Sequence, residues 1–423
     1  MVQNYEKIEI QKGVNLIIVK TDKFKTNLVS VYIKRPLNRE EATKNALLPY
    51  VLKCGSKNYK SQVEISKKLD ELYGSNLVAG VGKKGEKHIL SFKLVMTNDR
   101  YIDEAIFEDG LMFMKDMIFD PLLEEGAFSR GYFDVEAQNL RDAIRGRVND
   151  KAYYAVERCV EEMCKGENYS IHEDGYEEDI EKITPQNLYS HYRELIGTSP
   201  IDMLVVGDID SKRAEAAARS FFEGVLEKDR ELIAIPEEQV YNIPAEVKNI
   251  TESMDITQGK LCMGFRTNIH YLDPEYYPLA VYASVLGGGP HSKMFLNIRE
   301  KESLCYYIYA SVEKYKGLML ISSGIEFENY EKALELIRKE LSDMSAGSIT
   351  QLEMDNSKSA MTNSIRSMAD SINGLSEFYY GQLVSGVFET PEEMIEKISS
   401  VSVEDVVRAS EKIKMDTIYF LKN

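Results

Sequence analysis

The run Leu286-Gly-Gly-Gly-Pro-His-Ser-Lys-Met-Phe-Leu-Asn-Ile-Arg-Glu-Lys-Glu-Ser-Leu-Cys-Tyr306 decides how this 423-residue chain is read. Its three glycines do not make a phosphate loop. The G-K-[ST] ending is missing, and Pro290 stands where a phosphate-binding helix would need free N–H donors. They read as a tight turn. A helix is expected over about 292–300, then a strand over 306–312. That order puts Arg299 at a helix end and Tyr306 at a strand start. Arg brings planar N–H donors and Tyr an O–H donor. By themselves the two read more simply, as a charge near a helix C-terminus and one of 26 tyrosines. Tyr307 and Tyr309 read as packing residues of the strand.

Outward from this block, one succession of elements is written twice. The first half runs through strand-like 13–19 and 28–33, helical 40–53 and 61–73, and strand-like 88–95. Ser61 with Glu64 forms a capping box, and Gly74 supplies the stop. Helical stretches over 103–117 and 126–147 follow, then a capped helix after Thr184 and the apolar strand 203–206. The second half repeats the order. Strand-like 259–265 leads to a helix over 276–286, the quoted block, helices over 330–344 and 351–365, a helix opened by Ser402 and a closing strand over 417–421. Val51-Leu52-x-x-Gly55 has its counterpart in Val285-Leu286-x-x-Gly289. Two copies at this spacing mean a duplicated domain, since the period is far too long for a solenoid. The expected fold is α+β: two tandem domains, 1–223 and 249–423, each an antiparallel-rich sheet packed with helices. The charged stretch 224–248, with Pro236 and Pro244, reads as the linker.

Composition narrows the function. A net charge of -17, from 69 acidic against 52 basic residues, argues against nucleic acid and anionic membranes as partners. No segment approaches the ~20 apolar residues of a membrane span. The first twenty residues lack the charged head and apolar core of a secretion signal. The five cysteines, Cys54, Cys159, Cys164, Cys262 and Cys305, are odd in number and form no C-x-x-C pair. A cytoplasmic protein with free, buried thiols is expected. Nothing near Cys54 marks it as a nucleophile. The Tyr, Met and Phe stripes of the helices read as core.

The quoted block resembles the signature of the pitrilysin/insulinase peptidases and of mitochondrial processing peptidase: a glycine turn, S-[RK]-[LM]-F, then R-E-K-x-x-L-x-Y. Gly264-Phe265-Arg266, Tyr276-Tyr277-x-Leu279 and Val206-Gly207-Asp208-Ile209 are similar to that family as well. The resemblance spans the chain in matching order. In the family the first domain carries H-x-x-E-H on a helix. Histidines at i and i+4 share a face and bind zinc, and the Glu between them polarises the metal-bound water. Anchored on Cys54-Gly55-Ser56, that motif falls here on Ala46-Leu47-Leu48-Pro49-Tyr50. Ala46 and Tyr50 then stand in the histidine positions and Pro49 in the position of the general base. Proline has neither carboxylate nor N–H, and costs ~3 kcal/mol inside a helix, so a kink is expected there. With Glu136 at the family's acidic position on a later helix, the third zinc ligand falls on Ala143. The histidines present, His88, His172, His191, His270 and His291, include no pair four apart. The run His172-Glu173-Asp174 reads as solvated surface.

What the resemblance implies is a zinc-less, non-catalytic subunit. It would pair with a paralogue bearing H-x-x-E-H and supply Arg299 and Tyr306 to the substrate carbonyl and its oxyanion. It would also form half the wall of a peptide chamber. No cofactor is expected here, zinc belonging to the partner alone. The alternative is a peptide-binding or scaffold homodimer, and a third reading is a peptidase with a displaced metal site.

Overall fold

The structure, a computed structural model, describes residues 5–237, 239–241 and 243–423. The chain packs as two units. The first takes Met1–Arg145, Ile171–Pro236 and Ala369–Gly381; the second takes Gly146–Ser170, Glu237–Met368 and Gln382–Asn423.

In the first unit, β1 (Tyr5–Gln11), β2 (Val14–Lys20), β3 (Thr26–Pro36), β4 (Asn76–Lys84), β5 (Lys87–Thr97) and β8 (Ile201–Gly207) form one sheet. A short hairpin of β6 (Leu123–Glu124) and β7 (Ala127–Phe128) stands apart. The strand order is β1-β2-β8-β3-β5-β4, antiparallel except for β2 beside β8. Alternation places Val29, Val31 and Ile33 of β3 on one face, opposite Leu94, Phe92 and Leu90 of β5. That face meets α1 (Ala42–Lys53) and α3 (Phe107–Phe119) in the main core, through residues such as Leu47 and Met114. Between them runs α2 (Gln62–Glu71), opened by the expected Ser61/Glu64 box. Later come α4 (Arg130–Gly146) and α5 (Lys151–Met163).

The second unit repeats the plan with β9 (Lys248–Ser253), β10 (Gly259–Arg266), β11 (Cys305–Glu313), β12 (Leu318–Ile325) and β13 (Lys414–Lys422). Read from β11, the order β11-β12-β10-β13-β9 reproduces β4-β5-β3-β8-β2, and the parallel pair recurs at the same place, β13 beside β9. The duplication seen in the sequence is therefore a duplicated topology. Leu261, Met263 and Phe265 of β10 enter the unit's main core. Cys262, on the other face, packs with Ala155, Cys159 and Met163 of α5.

Packing does not follow the sequence repeat throughout. The stripe Ala155, Cys159, Met163 spaces every four residues and finds its apolar match in Cys262, Tyr419 and Leu421, so α5 belongs to the second unit. Residues 369–381 belong to the first unit, where the Tyr380 ring stacks on Tyr32 at 3.5 Å and Glu377 meets Lys93 at 2.6 Å and Lys84 at 3.2 Å. The stretch read as a linker is tied down at its start. Buried Arg230 donates to the carbonyls of Lys12, Gly13 and Ile196, and the Ile233 N–H reaches the Thr198 carbonyl at 2.8 Å. Among the described residues no helix is long and apolar enough to cross a membrane.

Candidate functional site

Helix α1 carries the positions where a zinc motif would lie. It runs through Pro49 unbroken from Ala42 to Lys53. Ala46 is fully buried in the main core of its unit. Tyr50 is half-buried, its hydroxyl 3.8 Å from where a Cβ on Gly80 would stand. Burial, reinforced by Asp174 and Glu136, raises the pKa of its phenol, so Tyr50 stays protonated and is a poor metal ligand. On α4, Ala143 is exposed. Glu136 accepts from the Cys54 thiol at 3.3 Å and from Asn139 at 3.1 Å. Burial, with the charge of Glu136 beside it, pushes the Cys54 thiol up to about 12, which leaves it un-ionised and unreactive. Two methyl groups, a proline ring and a protonated phenol do not fit zinc. Among the described residues no group of three His, Cys, Asp or Glu is placed to hold a metal ion.

A chain of neutral hydrogen bonds crosses α1 instead, one residue before Ala46. The Glu173 carbonyl can only accept, so His88 carries its proton on Nε2, 2.9 Å away. Neutral His88 then accepts on Nδ1 from the Asn45 amide at 3.2 Å, which orients the amide and turns its oxygen to His191 Nε2 at 2.7 Å. Beside them, fully buried Arg35 holds Glu41 in a two-armed pair at 2.6 and 2.9 Å. The run expected as solvated surface is corrected here. His172 is buried, and Glu173 is the anchor of this chain, with Lys83 3.7 Å from its carboxylate. Charge content marks a surface only until a fold supplies partners.

Burial holds both His88 and His191 near a pKa of about 4, below the 6.5 of a free imidazole. Since the folded pKa is the lower one, their contribution is complete above pH 6.5 and is lost as pH falls toward 4. The loss is on the order of 3 kcal/mol for each ring. Urea denaturation should therefore show stability falling between pH 6.5 and 4.5. His191→Gln should flatten part of that slope, and equal slopes in both proteins would contradict the assignment.

In the second unit the quoted block folds as a turn, a wide helix and a bulged strand. Gly287 is required by contact: a Cβ there would lie 2.5 Å from the backbone nitrogen of Ala310 in β11. The helix expected over 292–300 is a π-helix over Phe295–Lys301, a rare form that is frequent at functional sites. Ser303 turns the chain with φ +53, and the register of β11 against β12 slips between Cys305 and Tyr307. Tyr306 is therefore the bulge residue, turned out of the strand's alternation and 59% exposed. Arg299 donates from Nε to the Tyr306 carbonyl at 2.9 Å, from Nη1 to Glu300 at 2.9 Å, and lies 4.5 Å over the Phe295 ring. The expected pair is thus brought together. Tyr306 donates its hydroxyl to Glu326, whose carboxylate holds the phenol above its usual range and in its donor form. Tyr307 is half-buried as expected, but Tyr309 is 39% exposed, its ring stacked 6.0 Å from that of Tyr307. The bulge leaves the edge strand half open, so packing claims one ring and not the other. Glu326 and Gln258, both beside Tyr306, have no signature in the sequence.

Comparison with known proteins accords with this geometry. Residues 182–361 match the family described as peptidase M16 inactive domain. A Bacillus subtilis (strain 168) protein described as "Probable inactive metalloprotease YmfF" is 36% identical over 412 residues, 97% of this chain and 96% of that one. The "Uncharacterized zinc protease YmxG" of the same organism is 28% identical over 162 residues, 38% of this chain and 39% of its own length. A conserved protein from Enterococcus faecalis V583 superposes with a TM-score of 0.91 at 30% identity, covering 99% of both chains. A peptidase M16 inactive domain from Pseudomonas fluorescens shares the fold at a TM-score of 0.81 and 17% identity, over 99% of this chain and 98% of that one. On its 36% identity to the Bacillus subtilis protein along nearly the whole length of both, this chain belongs to the peptidase M16 family, as a member whose first unit lacks the donors of the zinc motif.

Proposed function

We propose that this chain is the non-catalytic side of a two-chain peptidase. It would lend Arg299 and Tyr306 to the zinc site of a partner chain carrying H-x-x-E-H. The observation that carries the reading is the Arg299/Tyr306 arrangement. The chain's own metal positions are Ala46, Pro49, Tyr50 and Ala143, yet a π-helix and a bulge present a guanidinium and a phenol at the surface. Both are donors, and the 2.9 Å bond from Arg299 Nε to the Tyr306 main-chain carbonyl keeps the two residues together. Donors aimed before the reaction stabilise an oxyanion at little reorganisation cost. Arg299 keeps its Nη2 side outside its bonds to Tyr306 and Glu300, while Tyr306 would turn its one O–H from Glu326 to the substrate. The description of its Bacillus subtilis relative as a "Probable inactive metalloprotease" accords with a chain that cleaves nothing alone. The reading includes a reducing, cytoplasmic setting, supported by five unpaired and buried cysteines.

The test is reconstitution. The purified chain should hold no stoichiometric zinc and leave a peptide library intact. Mixed with an H-x-x-E-H paralogue from the same genome, it should form a heterodimer and raise cleavage at least tenfold over the paralogue alone. Zinc retained at one per chain would overturn the proposal. So would an inert mixture containing only homodimers of this chain, which is the outcome a scaffold role requires.

A further inference from the structure

We propose that the recess beside Tyr306, with Lys260 in its wall, is a subsite that takes a carboxylate of the bound peptide. This rests on the peptide-binding role above. The recess holds about 670 Å³ and is lined by Asn149, Asp150, Lys151, Ile256, Gln258 and Lys260. It opens where α5 begins, on the face of β10 away from the unit's main core. Lys260 pairs across the sheet with Gly324 of β12, and Gly324 in turn pairs with Tyr307 of β11. That glycine is needed. A Cβ on it would lie 2.6 Å from the Tyr307 ring and 2.7 Å from the Gln258 side-chain oxygen. Lys260, Gln258 and Tyr307 thus close over a bare backbone, and Gln258 also comes within reach of the Tyr306 hydroxyl. Gln258, in the wall of the recess, is thus its link to the Arg299/Tyr306 pair.

Lys260 is the group left over. Its ammonium donates to the Gln258 amide oxygen and lies 5.5 Å from the Tyr307 ring, and no ion pair forms with it among the described residues. Asp150, across the recess, is engaged elsewhere: one oxygen caps α5, accepting from the Ala152 and Tyr153 N–H groups at 3.1 and 3.0 Å. Asp255, also in the wall, is exposed to water, and Lys151 adds a second cation. Partial burial already disfavours the charged Lys260, only partly offset by Asp150. A half-dehydrated ammonium facing a cavity gains most from a ligand that brings its own negative charge, and least from a neutral amide. An acidic side chain or the C-terminal carboxylate of a peptide meets that requirement.

The experiment uses the full chain and three pools of random decapeptides, fluorescently labelled at the N-terminus. One pool has a central Glu and an amidated end, the second a central Gln and an amidated end, the third a central Gln and a free C-terminal carboxylate. Anisotropy should show one carboxylate pool binding about tenfold tighter than the neutral pool, as a charge-assisted hydrogen bond gives. Which pool gains identifies the source of the carboxylate. Lys260→Met should erase the preference without weakening the neutral pool, and Lys260→Arg should keep it. Equal affinity for all three pools, or a preference that survives Lys260→Met, overturns the subsite. Arg299→Ala should leave the charge preference in place. Partner-dependent cleavage without any charge preference would therefore refute the subsite and spare the proposed function, and failure of every pool to bind refutes the subsite while reconstitution decides the proposed function.

Discussion

Arg266→Met is expected to destabilise the second unit by about 3–5 kcal/mol, the usual result of removing one side of a buried ion pair. Arg266 is 3% exposed and donates from Nε to Asp416, itself 1% exposed, at 2.9 Å. Its Nη2 reaches the Glu167 carboxylate at 2.6 Å and the Met163 carbonyl at 2.9 Å. Buried Lys316 is the second cation, 2.9 Å from Glu167, so two positive groups face two negative ones. Methionine fills much of the volume but leaves Asp416 dehydrated with one hydroxyl, that of Thr417 at 2.7 Å. Glu167 keeps Lys316 and suffers less. The double variant Arg266→Met, Asp416→Leu should therefore recover a large part of the loss, since no buried charge is then orphaned. Urea denaturation of the two variants decides it. A single variant within about 1 kcal/mol of wild type would show that water reaches the pair. In functional terms, the Gly264-Phe265-Arg266 part of the family signature serves the framework here, whereas the Arg299 block is the part turned to solvent.

Much of this was legible in the residues. Alternation in 28–33 and 259–265, capping boxes at Ser61 and Thr184, and the Val-Leu-x-x-Gly repeat are local patterns, and local patterns report elements and their succession. The missing zinc donors were legible for the same reason, since i and i+4 positions on one helix are a matter of counting. What escaped was whatever depends on a distant partner. A π-helix and a one-residue slip leave no period to detect, so Tyr306 was placed at a strand start without the bulge that turns it outward. The stripe of α5 announces a buried face but not which sheet it meets. His172-Glu173-Asp174 reads as surface because its carbonyl partner, His88, lies 85 positions from Glu173. Lys260 left one faint trace, a lone charge in the otherwise apolar run Gly259-Lys260-Leu261-Cys262-Met263, which packing alone does not require.

Arg299→Ala should lower kcat of the reconstituted pair by about 10²–10³-fold with little change in heterodimer formation, the loss typical of removing an oxyanion donor. Two effects combine. The substitution removes a guanidinium, and it frees the Tyr306 carbonyl that Arg299 grips at 2.9 Å, so the bulge loses the contact that aims the phenol. Tyr306→Phe removes one hydroxyl and keeps the bulge, and is expected to cost less. Because the first change disturbs the second group, the double variant should fall short of the product of the two single losses. Arg299→Lys tests geometry against charge. Lysine offers a point cation without the planar fork that binds the carbonyl and still presents N–H groups outward, so it should restore only part of the rate. The split between constants separates this role from a purely structural one. An interaction made only in the transition state lowers kcat and kcat/KM together, while a group that merely shapes the peptide surface raises KM and spares kcat. A variant with unchanged kcat would remove Arg299 from the chemistry and leave the exposed block as a docking surface.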